Sequence, residues 1–81
     1  MLIRVKMRIY DDDETEQDWL IDPARIVAIH VRPERRGGQG DASYVIWSAG
    51  LLVYIDGLPD GRSPLTVEDP PSIDRLLELE R

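Results

Sequence analysis

Apolar and basic residues alternate over positions 2–10, with Ile3, Val5, Met7 and Ile9 on one side and Arg4, Lys6 and Arg8 on the other. A period of two marks a half-buried strand. The acidic run from Asp11 to Asp18 cannot pack and reads as a loop. A short returning strand follows over 18–22, where Trp19, Leu20 and Ile21 resume the apolar pattern and Asp22-Pro23 stops it. Arg25 to Val31 is apolar on both sides, with Ile26, Ala28 and His30 on one and Val27, Ile29 and Val31 on the other. Such a strand belongs in the middle of a sheet covered on both faces. Residues 33–42 are rich in Gly and Arg and read as a flexible loop.

Ser43 to Ile55 holds two β-branched and aromatic runs around Ser48-Ala49-Gly50, which predicts a β-hairpin with a three-residue turn and Gly50 in the left-handed position. That register pairs Trp47 with Leu51, Val45 with Val53 and Tyr44 with Tyr54. One face then carries Val45, Trp47, Leu51, Val53 and Ile55, and the other Tyr44, Ile46, Leu52 and Tyr54. Asp56 to Pro64 is turn-forming, and Leu65-Thr66-Val67 makes a short last strand. Asp69 is placed to cap a helix that has Pro70 in its first turn and runs to about Glu80, with Ile73, Leu76 and Leu77 on one stripe. The predicted class is α+β: a small, mainly antiparallel β-sheet of four to five strands with one C-terminal α-helix, in a single domain over 1–81.

Composition narrows the ways such a domain gains stability. At 81 residues the core is near the lower limit of self-sufficiency. There is no Cys, so no disulfide can help, and one His cannot build a zinc site of the usual kind. Association remains. The net charge of −6 disfavours nucleic acid on average. The charges interleaved in Met-Leu-Ile-Arg-Val-Lys argue against a signal sequence, and no apolar run is long enough to span a bilayer. The expected setting is the cytoplasm.

Candidate chemistry is sparse. Asp11, Asp13 and their neighbours offer oxygen ligands, but Thr15 and Glu16 stand where a calcium loop needs its third ligand and its Gly. His30 has no nucleophile or second His in its sequence context, and Glu68 and Asp69, adjacent on an extended segment, point apart. The 33–42 loop lacks the Lys and following helix of a phosphate cradle. Its basic cluster, Arg32, Arg35 and Arg36, is the candidate anion contact, with Arg25 and Arg62 as outliers of the same patch. No catalytic residue, cofactor or metal is expected.

From Trp19 onward the order of features resembles the small bacterial flagellar and swarming-motility proteins. The matching residues are Ile26 with Ile29, Ile46-Trp47-Ser48-Ala49-Gly50, and Leu65-Thr66-Val67-Glu68-Asp69 before Ile73. The acidic loop, the Arg/Gly-rich loop and the Pro-Asp-Gly insertion before the last strand depart from that pattern. The resemblance implies a non-enzymatic accessory protein without catalytic residues to carry over.

One short helix covers one sheet face, so a second apolar face calls for another cover. Tyr44, Ile46, Leu52 and Tyr54 are the candidate interaction surface. A second copy in a dimer is the favoured occupant, with another protein partner or a curled sheet as alternatives. The expected function is that of a non-enzymatic accessory or regulatory protein. The alternative is a nucleic-acid-associated or nucleic-acid-mimicking regulator that uses its Arg-rich or its acidic loop.

Overall fold

A computed structural model of the chain describes residues 1–9, 16–58, 61 and 63–79. Among these residues seven strands and one α-helix follow in order: β1 (Ile3–Ile9), β2 (Gln17–Ile21), β3 (Ile26–Arg32), β4 (Arg35–Gly37), β5 (Tyr44–Trp47), β6 (Gly50–Ile55), β7 (Leu65–Val67) and α1 (Pro70–Glu78). Five strands form an antiparallel sheet in the order β2-β1-β7-β6-β3, and β4 and β5 form a separate two-stranded ribbon.

The alternation in β1 is realised as expected. Val5 and Met7 are buried and Ile3 and Ile9 pack at the margin of the core. The core lies on one side of the sheet, where Val5, Met7, Ile21, Leu51, Val53, Ile55, Leu65 and Val67 meet Leu76 of α1. The three residues of β7 sit at the sheet's centre and are all buried. Asp69 caps α1 by accepting from the Ser72 amide at 3.2 Å and from the Ser72 hydroxyl at 2.8 Å. Ser72 Oγ in turn accepts from the Lys6 amide at 2.9 Å, and Arg75 Nη1 donates to the Arg4 carbonyl at 2.6 Å. The first part of α1 thus takes the place of a strand along the stretch of β1 that β7, paired only at Arg8 and Ile9, does not reach.

Two expectations fail here, for one reason. The chain does not reverse at Ser48-Ala49-Gly50. β5 pairs with β4, through Arg35 with Trp47, Arg36 with Val45 and Gly37 with Tyr44, while β6 pairs with β3, through Arg32 with Gly50 and Val31 with Leu51. These pairs belong to a single long hairpin with arms over 26–37 and 44–55, and its reversal lies within 38–43. Gly38 (φ +89°) makes the turn there, because a side chain at that position would run into the Ala42 carbonyl. The Gly-rich loop is therefore the tip of the hairpin. Gly50 is a strand residue: a Cβ there would lie 2.6 Å from the Val67 carbonyl oxygen, so its missing side chain lets β6 approach β7. The second failure follows. With its partner strand on one side only, β3 is an edge strand and not a central one.

Candidate interaction surface

α1 lies against β1, and its reach across the sheet is short. On the same face, β3 presents Ile26 and Ile29 half-buried and Val31 64% exposed, while Val27, 72% exposed, stands where the β3–β6 register shifts. Between this strand and the helix runs an open groove of about 620 Å³, lined by Pro23, Ala24, Ile26, Ile29, Val31, Leu76, Leu77 and Leu79. Leu77 and Leu79 are exposed on its helix wall. Among the described residues the outer edge of β3 has no partner strand, so its backbone polar groups on that side are open to pairing.

Beyond the five-stranded sheet, β4 and β5 continue β3 and β6 outward as an arm. Tyr44, Val45, Ile46 and Trp47 are all exposed large hydrophobic residues, Tyr44 at 60%. The arm is held internally: Trp47 Nε1 donates to the Pro33 carbonyl at 3.0 Å, and the Arg35 guanidinium sits 5.1 Å from the centre of the Trp47 ring. On the same side of the ribbon as that pair, Tyr44 and Ile46 lie close over Gly37, where a Cβ would stand 3.0 Å from each of them, while the register shift at Arg35/Arg36 sets Val45 with Arg36 on the other side.

The opposite face of the main sheet has a polar cover. Register places Arg8, Thr66, Leu52 and His30 in one row across β1, β7, β6 and β3. In the neighbouring row Arg32 stands opposite Gly50. Glu68 Oε1 accepts from Arg8 Nε at 3.0 Å and Nη2 at 2.6 Å, and Arg32 Nη2 approaches the same oxygen at 3.8 Å. Beneath these long side chains Thr66 is fully buried and Leu52 is 7% exposed. Arg side chains shield apolar surface with their stems in this way.

The expected interaction surface is therefore divided. Leu52 is buried, Tyr54 is exposed on β6 across from Ala28, and Tyr44 and Ile46 stand on the arm. The candidate anion contact is divided too. Arg32 turns inward to Glu68 and donates from Nε to the Ser48 carbonyl, Arg36 pairs with Glu34 at 2.9 Å, and Arg35 rests on Trp47. His30 is exposed on the edge strand. Among the described residues no three His, Asp or Glu side chains group to hold a metal ion; Asp11 to Glu14 of the carboxylate run lie outside the described residues. Among the described residues, too, no helix is long and apolar enough to cross a membrane.

Sequence reasoning missed Val27, Val31 and Leu79 as surface residues. The signal was present in the two apolar sides of residues 25–31, but a strand flanked on both sides and an uncovered edge strand leave the same pattern. No family model, curated protein or solved structure matches the chain.

Proposed function

We propose that this chain is a small non-enzymatic accessory or regulatory protein that acts through protein–protein contact in the cytoplasm and self-associates through its apolar surface. The observation that carries this reading is the groove between β3 and α1, left open by the short helix α1 in a domain with little core to spare. Its lining is apolar almost throughout, and no nucleophile, base and orienting group converge beside it, so it suits a side-chain surface better than a reacting substrate. The resemblance from Trp19 onward to flagellar and swarming-motility accessory proteins agrees with a role of this kind. The overall acidity argues against nucleic acid as the partner.

Self-association couples folding to concentration. When the free chain stands at a hundred times its dissociation constant, binding adds about 2.7 kcal/mol to apparent stability. The urea midpoint is therefore expected to rise as the chain is concentrated from about 1 μM to about 100 μM. A midpoint that stays constant across that range contradicts the reading.

A further inference from the structure

We infer that two copies of the chain join edge to edge through β3, antiparallel about a two-fold axis beside His30, so that their sheets become one. This rests on the self-association proposed above and gives it a register. The hydrogen bonds of the neighbouring strand β6 fix which groups of β3 point outward. The Asp56 amide donates to the Arg25 carbonyl at 2.9 Å and the Ile55 amide to Ser63 Oγ at 3.1 Å, so Ile55 turns its backbone groups away from β3. Successive residues of a strand aim these groups to opposite sides, so Tyr54, Leu52 and Gly50 face β3, and Val53 and Leu51 face β7. Residues opposite one another share this property. Ala28, His30 and Arg32 therefore bond inward to β6, while Ile29 and Val31 hold their N–H and C=O groups at the open edge. Before Ala28 the ladder is interrupted by the register shift, and after Arg32 comes Pro33, which has no N–H to offer. A two-fold axis at the centre of the stretch 28–32 sets Ile29 opposite the second copy's Val31, and Val31 opposite its Ile29. Each pair exchanges both of its bonds, so every outward group of the regular stretch is satisfied. His30 meets its own counterpart on the axis. Such an interface is isologous and closed.

Charge and preorganisation both favour a second copy as the partner. Residues 26–31 hold no Asp, Glu, Lys or Arg, in a chain whose net charge is −6, so two copies meet here with little repulsion. The opposite edge of the sheet, β2, carries Asp18 and follows Glu16, and acidic side chains guard an edge against pairing with its own kind. Arg32 turns inward to Glu68 of its own chain and would stand across from the small Ala28 of the other. On the helix side, Ile29 and Val31 of both copies make one apolar floor, and the groove walls of Leu77 and Leu79 face each other across the axis. No face has to turn over, because the joint runs along an edge. A free peptide would have to be ordered as it paired, whereas β3 of a second copy is already a strand held by β6.

The chain has no cysteine, so a single introduced Cys reads the register. Residues of a non-hydrogen-bonded antiparallel pair have Cα atoms about 4.5 Å apart, within the roughly 4.4–6.8 Å that a disulfide spans. On oxidation, His30→Cys is therefore expected to give roughly tenfold more linked homodimer than Val31→Cys, which is also exposed but two residues out of register with its counterpart. Circular dichroism checks the fold of each variant. The wild type supplies a second readout. Its Ile29 and Val31 amides are expected to exchange hydrogen more slowly at about 100 μM than at about 1 μM, with the inward His30 amide as the reference. A dimeric solution mass with linkage at 30 no stronger than at 31, or with Ile29 and Val31 exchange independent of concentration, overturns edge pairing and leaves self-association standing. A monomeric mass overturns both and leaves the edge to a strand of another protein.

Discussion

A methyl group added at Gly50 would meet the Val67 carbonyl oxygen at 2.6 Å and Glu68 Cγ at 3.2 Å. The first contact is with backbone at the centre of the sheet and cannot swing aside. Gly50→Ala is therefore expected to cost about 1–3 kcal/mol, as overpacked sites do, read from the urea midpoint. An unchanged midpoint would mean that β6 does not lie this close to β7. Ser72 offers a second test at the same scale. Its hydroxyl satisfies the Lys6 amide, and the residue is 1% exposed. Ser72→Ala leaves that amide without its acceptor and is expected to cost about 1–3 kcal/mol, with faster hydrogen exchange at the Lys6 N–H. Exchange at Lys6 that matches the wild type would show that α1 does not close this stretch of β1. Neither role was legible in the sequence. Gly50 reads there as a turn glycine, and Ser72 carries no local signal, because a close approach between strands and an edge-sealing hydroxyl both depend on partners far along the chain.

Among the elements, those set by local chemistry were the legible ones. The alternation of β1, the short β2 after the acidic run, the three-residue β7 and the Asp69-capped helix stand where period, turn residues and capping put them. The long hairpin was not legible, because two turn signals compete within it. Ser48-Ala49-Gly50 suits a tight reversal, but the chain runs straight through it, with Arg32 opposite Gly50 and Arg35 opposite Trp47. The reversal takes place at the more flexible Gly-rich segment, where Gly38 has positive φ. Moving the turn about ten residues toward the N-terminus transforms the candidate surface. It turns β3 into an edge, converts the Arg/Gly-rich loop into an arm, and separates Tyr44 and Ile46 from Leu52. The inference that apolar surface is left uncovered survives this change, but its place shifts. It lies on the helix side between α1 and β3, and separately on the arm, while the other face of the main sheet is screened by Arg8, Glu68 and Arg32.

At the scale of the whole molecule, the long axis of 47 Å against a short axis of 19 Å describes a flat, extended body. Hairpin arms of twelve residues reach about 40 Å at the usual rise per residue, which accounts for most of that length. A shape of this kind gives a small chain more surface than its core can stabilise alone. The most direct test is the solution mass of the purified chain by light scattering at about 100 μM, a concentration at which even a low-micromolar dissociation constant gives mostly dimer. The expected mass is about twice the 9.3 kDa of one chain, and it should fall to a single chain in Leu77→Asp, whose charge on the open groove wall spares the core. A wild-type mass of 9.3 kDa, or a Leu77→Asp variant as fully associated as the wild type, contradicts self-association through this surface.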